Sequence, residues 1–472
     1  MKLENIKLTD MSNGMITSGA VSDSLLPSNI VIESMNLDFD KIGCATIRKG
    51  QTILGNQILT NTDILGMHEF RDSGDGSNNQ TIVVHGTVAY YLAGSTWTSK
   101  RTGLTTGYSA DFTTYLDYSF MVNGIDATQT WDGDTNNSFG TTNASGAPVG
   151  ISVEVFRNRV WIVDADDRLH YSSLPNEITS LITWDTDSQW IDISPQDGDN
   201  AVKLVRSKNS LLVFKKNHMY RVYSTQETEP DPKIDVGTYS ARSVVSASDG
   251  VYFHHPSGIY RYLDGSITNI SQPMLDFIDN ITVANYSKVV GWTDGNHILF
   301  SIGDITIGDV SYSNVVLRYT ISSRVWTFRS YPTQILCACD YDDGSTIFNL
   351  IGDDDGNILK VDEGTTDNGS SIFYSLTVGP KTLDGSFNTR KYISKMSVVH
   401  DGAEGTIIYT KSDNDNDNKY TQIYEISESK AVPFSTNIKG NKIWFRAAGS
   451  STGSSFTLNG YELLDIESEY YA

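Results

Sequence analysis

Apolar positions along the chain fall in short alternating runs of four to eight residues, separated by clusters of Gly, Asn, Asp and Ser. A period of two buries one face of a strand, and those polar residues suit tight turns, so the pattern predicts hairpin after hairpin. Helical spacing stands out at one place. Residues 272–283 (QPMLDFIDNITV) put Met274, Leu275, Phe277, Ile278 and Ile281 on one face and predict a short amphipathic helix. Residues 173–181 (SLPNEITSL) have room for a single turn.

The strand pairs recur. Residues 81–84 lead to 88–92 and Trp97, 118–122 to 127–131, and 159–163 to 168–172. Further on, 211–214 lead to 219–223, 251–254 to 259–263, 297–302 to 315–319 and 325–328, and 346–351 to 358–361. The spacing, roughly 40–50 residues, is that of a four-stranded propeller blade. Sheets packed radially bury one another's faces and leave short edges, which is the physical reason for such a repeat. The expectation is an all-β chain: an irregular β-propeller of seven blades, within a range of six to eight, followed by a C-terminal β-sandwich. Residues 178–193 read as an insertion at a blade corner. Two sandwiches of unrelated hairpins are the alternative architecture.

The ends differ from the middle. Residues 1–60 read as an N-terminal arm with propeller-closing strands, and 61–372 as the propeller. A polar patch at 364–371 (GTTDNGSS) leads into 373–472, where strong alternation at 392–399, 405–409, 420–426, 442–447 and 455–463 predicts the sandwich.

Composition narrows the function. Lys and Arg number 35 against 57 Asp and Glu, a formal net charge of −22. So acidic a chain is ill suited to reading nucleic acid, which needs clustered basic residues. Tyr, Phe and Trp make up 11% of the residues, ample for a β core. No apolar run reaches the roughly 18 residues of a membrane helix. Residues 1–10 lack the apolar core of a secretory signal, and three cysteines cannot pair fully, so the expected setting is a cytosol where the protein is made and assembled.

Candidate chemistry is sparse. Asp132, Asp134 and Asn136, then Asp413, Asp415 and Asp417, then Asp353 and Asp355, have the alternate spacing of a calcium loop. None is followed by the bidentate Glu of an EF-hand, and they read as solvated turns. Cys337 and Cys339 share a strand side but have no second pair to complete a zinc site. His254 and His255 are strand neighbours facing opposite ways. Trp97, Trp131, Trp184 and Trp190 are candidates to stack on sugar rings, although such residues more often fill blade-to-blade or subunit interfaces. The basic stretches 203–206 and 215–216 are candidates to meet acidic surfaces of neighbouring subunits or to sit in solvent. Neither a nucleophile elbow nor a metalloprotease or phosphate-loop motif is present, so no catalytic, metal or cofactor residue is assigned and no enzyme is expected.

Two stretches carry a resemblance. Residues 29–50 (NIVIESMNLDFDKIGCATIRKG) declare a strand, an acidic turn and a basic R-x-G. Within 155–193 lie FRNRVWIV (156–163), LHYSSLP (169–175) and WDTDSQWIDI (184–193). Together with a propeller, a terminal sandwich and a turn such as 389–391 (TRK), these resemble the tail hub or nozzle proteins of short-tailed bacteriophages, also known as phage stabilisation proteins. The resemblance implies a structural virion protein of the tail. It implies a homo-oligomeric ring of six that meets a tail adaptor and tail fibre or needle proteins, retains packaged DNA, and lets it pass without sequence-specific binding. The rival readings are a receptor- or glycan-binding adhesin and a propeller glycosidase.

Overall fold

The structure, a computed structural model, describes residues 2–17, 29–41, 43–58, 62–74, 76–176, 182–194, 197–226, 231–413, 419–451 and 456–470. It is an all-β propeller. Six wedges are sheets of their own. Blade 1 holds Ile64–Phe70, Gln80–His85, Val88–Ala93 and Thr96–Arg101. Blade 2 has three strands, Asp111–Tyr115, Tyr118–Val122 and Gln129–Trp131. Blade 3 runs from Ser152–Phe156 to Trp190–Asp192, blade 4 from Ala201–Arg206 to Asp231–Ile234, and blade 5 from Val245–Ala247 to Ser266–Asn269. The next wedge, called blade 6, is the Val290–Thr293, His297–Ile307, Val310–Thr320 and Val325–Ser330 end of a nine-stranded sheet. Blade 7 takes Ile335–Asp342, Ile347–Asp353 and Ile358–Val361 from late in the chain and its fourth strand, Gln51–Ile53, from near the start. Pairing the two ends of a ring within one sheet leaves it no open seam.

Strand alternation explains the ring. In blade 1, Ile82 and Val84 pack against Met121 and Trp131 of blade 2, while Val83 between them packs against Cys337 and Leu350 of blade 7. Blade 4 does the same: Leu211 and Val213 join Trp161 of blade 3, and Leu212 and Phe214 join Val251 and Phe253 of blade 5. Both faces of a blade are thus buried, each in a different shared core, which is why central strands such as Gln80–His85 are buried at every position.

The terminal regions are joined to the propeller rather than set beside it. Glu33–Met35 pairs with blade 6 at Met35–Phe328 and, on its other side, with Ile372–Lys381. The nine-stranded sheet therefore runs from blade 6 through the arm to Ile443–Ser451, Ile407–Ser412 and Thr421–Glu425. A second sheet combines Phe434–Gly440, Thr389–Asp401 and Thr457–Tyr470 with the N-terminal strands Lys2–Leu3, Ile6–Leu8, Leu37–Asp38 and Ala45–Ile47. Leu376, Phe445, Val398 and Leu463 share one core across the two sheets, and it continues into blade 6 through Leu317 and Phe328. The expected boundary near residue 372 thus falls within a continuous sheet and core.

Residues 272–283 begin with a 3-10 turn, Gln272–Met274, and one α turn, Leu275–Asp279; a second 3-10 turn, Val283–Lys288, follows. Met274, Phe277, Ile278 and Ile281 are buried as their spacing requires. The turn expected over 173–181 lies partly outside the described residues, as do Asp415 and Asp417.

Candidate functional site

Two places gather polar chemistry inside this frame: the propeller axis, and the clasp that holds the N-terminal arm.

The first strands of the blades converge on an axial cavity of about 190 Å³. Its wall includes Met67 and His68 of blade 1, Asp111 and Phe112 of blade 2, Lys203 of blade 4, Gly291 of blade 6 and Cys337 of blade 7, with Arg242 between blades 4 and 5. Room for a few waters or one small molecule remains, so the axis is no passage for DNA. Close approach of the inner strands depends on glycine. A Cβ on Gly66 would lie 2.7 Å from the Ala110 carbonyl oxygen, and one on Gly291 would lie 2.5 Å from Val245 Cγ2.

Most polar groups in the wall are already partnered. Lys203 Nζ lies 2.5 Å from Asp111 Oδ1, and the Ser152 hydroxyl donates to Asp111 Oδ2 at 2.5 Å. His68 Nε2 is 2.8 Å from Thr114 Oγ1, and its ring stacks on Phe112. Burial pushes His68 down to about 4, outweighing the opposite pull of Asp111, so the ring is neutral at pH 7. Burial pushes the Cys337 thiol up to about 12, and it donates to the Ile64 carbonyl. Arg242 differs. It sits on a 3-10 turn, Ala241–Ser243, with no hydrogen bond or ion pair among the described residues, although burial disfavours its charge.

That turn is held by buried hydroxyls. Thr238 donates to the His254 carbonyl at 2.8 Å, Ser240 to the Val289 carbonyl at 2.7 Å, and Ser243 to the Ser240 carbonyl at 2.9 Å. Arg242 is therefore presented by a rigid turn. Sequence reasoning passed over it because a single Arg in TYSARS carries no pattern.

The clasp is built on residues 29–50. Asn36 has φ +58°, a left-handed conformation that Asn tolerates, and its buried amide reaches three ways. Its Nδ2 donates to the Phe373 carbonyl at 2.7 Å, while its Oδ1 accepts from the Ser330 amide and from Arg48 Nε, each at 2.8 Å. Arg48 then forks onto Asp367 at 2.8 and 2.6 Å and covers the Tyr331 ring. The acidic turn is fixed likewise. Asp38 meets Arg329 at 2.7 Å, and Asp40 meets Arg318 at 2.7 Å and His297 at 3.2 Å. Burial raises the Asp38 carboxyl, but the two guanidiniums outweigh it and hold the group below its ordinary value.

The other candidates are dispersed. Asp132 and Asp134 accept amide hydrogens of their own turn, and Asp353 does the same for Asp355 and Asn357. Among the described residues no three His, Cys, Asp or Glu side chains converge as a metal site. Cys337 and Cys339 face one apolar cluster, with Cys44 remote and half-buried. His254 is buried and His255 bonds Ser257 at 2.6 Å on the other face.

Trp97 and Trp131 lie in cores between blades, at 7% and 1% exposure, which is the blade-to-blade placement expected more often of such residues and not a stacking surface for sugars. The basic stretches are not uniformly available to neighbours. Lys215 is fully buried, bridging Asp167 at 2.9 Å and Asp197 at 3.0 Å, and Lys203 is committed to Asp111.

No family model matches the chain, and no curated protein does. Similar solved structures include the computationally designed Ika8 protein, with TM-score 0.41, 9% identity, and cover of 66% of this chain and 99% of that one. BamB from Moraxella catarrhalis gives 0.38, 11%, 70% and 96% in the same order. YCF48 bound to D1 peptide gives 0.41, 12%, 65% and 95%. BamB and YCF48 are propeller proteins. At such scores the blade assignment stands on strand order and shared cores.

Proposed function

We propose that this chain is a structural part of a short-tailed phage tail, a hub or nozzle that assembles as a ring of six in the virion. In this reading it meets a tail adaptor and fibre or needle proteins, retains packaged DNA and forms the channel for its release. The observation that carries the reading is the clasp. Residues 29–50, which hold half of the resemblance, lock the propeller to the two terminal sheets through one continuous sheet and buried ion pairs. A body tied together in this way suits transmission of load between neighbours. Because the axial cavity is so small, the DNA path in this proposal is the lumen between copies. Six copies at −22 each would make a lumen lined by one acidic rim repel phosphate, so a duplex slides rather than sticks.

Electron microscopy of purified particles carrying an epitope tag on this chain tests the proposal. A six-fold ring of label at the tail tip is expected. Label on the capsid, on fibres alone, or absent from particles would overturn it. In the same experiment, a ring whose lumen is lined by basic side chains would reject the sliding-channel argument.

A further inference from the structure

We infer that the seam between blades 5 and 6 is an acid-sensitive latch, shut while His254 is neutral and opened when its ring takes a proton. The inference does not depend on the tail reading. His254 belongs to the blade 5 strand Gly250–His255. Val251 and Phe253 of that strand pack toward blade 4, and Tyr252 packs toward blade 6 in one core with Phe300 and Leu317. Alternation turns His254 to the blade 6 side, where its ring lies 6.1 Å from that of Tyr286 on the Val283–Lys288 turn. The residue has 0% exposure, and neither ring nitrogen has a hydrogen-bond partner among the described residues. A neutral imidazole there leaves one donor and one acceptor unmet; an imidazolium leaves two donors unmet and buries a charge as well.

Three other histidines face carboxylates: His170 meets Asp164 at 2.9 Å, His218 meets Asp199 at 2.7 Å and His297 meets Asp294 at 2.7 Å. Among the described residues no carboxylate engages His254. The Ala241–Ser243 turn brings Arg242, which lines the axial cavity, and the Val283–Lys288 turn brings Tyr286 and the exposed Lys288. The first blade 6 strand, Val290–Thr293, has no titratable side chain; in the second, Asp304 accepts the Asn314 amide at 2.8 Å. Across the blade 5 hairpin, Arg261 is paired with Asp249 at 3.0 Å. Neutral hydrogen bonds hold the seam beside the ring: Thr238 donates to the His254 carbonyl, and Ser240 to the carbonyl of Val289 just before blade 6. Burial lowers the His254 pKa to about 3, and the like charge of neighbouring His255 works the same way. An open seam returns the ring to water and to its ordinary 6.5. The sign follows: the stabilisation is full above 6.5 and is lost progressively as pH falls toward the folded value. Relative to pH 7.5, the opening equilibrium should rise about tenfold at pH 5.5 and about a hundredfold at pH 4.5.

The test is hydrogen–deuterium exchange of the full chain between about pH 7.5 and about pH 4.5, corrected for intrinsic amide rates, in wild type and His254→Phe. In the wild type, amides of Gly250–His255 and Val290–Thr293 should lose protection by those factors, while the blade 3 strand Arg159–Val163 changes far less. His254→Phe, which fills the same space without a titrating group, should keep the seam protected over the whole range. Seam protection that holds to the lowest pH in the wild type would overturn the inference. So would equal loss in blade 3, or a variant that loses seam protection as the wild type does. If His254→Phe fails to fold, the wild-type comparison of the seam with blade 3 decides alone.

Discussion

At the scale of single residues, stability concentrates in the clasp. Arg48 is buried, bidentate to Asp367, and bonded to the carbonyls of Lys49 and Ser330. Removing one member of such a pair strands the other, at a cost of about 3–5 kcal/mol. Arg48→Ala should therefore lower the urea midpoint by that equivalent, whereas Arg48→Met combined with Asp367→Leu should recover part of the loss. A second prediction concerns His297, which lies 2.7 Å from Asp294, 3.2 Å from Asp40 and close to Arg318. Burial and Arg318 disfavour its proton, but hydrogen bonds to Asp294 and Asp40 outweigh them and raise its pKa above the ordinary 6.5. The sign follows: the contribution is full below the unfolded pKa and disappears as pH rises through the folded one. The Tm gap between wild type and His297→Gln should thus be widest near about pH 5.5 and shrink through the rise above the ordinary value; a gap that widens with pH would contradict the assignment. The acidic turn and the R-x-G were visible in sequence, but their partners were not. Arg48 and Asp367 lie 319 positions apart and Asp40 and Arg318 lie 278 apart, distances over which no local pattern operates.

At the scale of elements, each blade is a hairpin series whose two faces serve different cores. This double duty was legible as runs such as TIVV at 81–84, where burial on both sides removes polar alternation. It also explains where the aromatic residues sit: Trp131 and Trp97 occur near polar turns in sequence, yet each blade's flank is another blade's cover. The inner strands have least room. Gly66→Ala would bring a methyl within 2.7 Å of the Ala110 carbonyl oxygen and force blades 1 and 2 apart. A loss of about 1–3 kcal/mol is expected from such overpacking, measured by chemical denaturation of the full chain. Gly308→Ala, where an added Cβ meets nothing within 4 Å, separates crowding from backbone effects, since φ there is +59° and only strain remains.

At the scale of the whole molecule, charge and closure set the behaviour. Copies at −22 each repel, so ring formation should strengthen as salt rises from about 0.02 M to about 0.3 M and the screening length falls. Mass photometry checks this, and rings that weaken over that range would point to contacts made by opposite charges instead. By itself the sequence determined the β class, the hairpin repeat and the short helical turn, because period-two burial and turn chemistry are local properties of the chain. It also determined the net charge, which is a sum over residues and independent of arrangement. Only the tertiary structure decided that residues 51–53 complete blade 7, that the arm and the last hundred residues continue a propeller sheet, and that Arg242 lines the axial cavity. Those features arise when segments hundreds of residues apart meet, and which strand edge or which carboxylate is then within reach depends on the packed geometry of the ring.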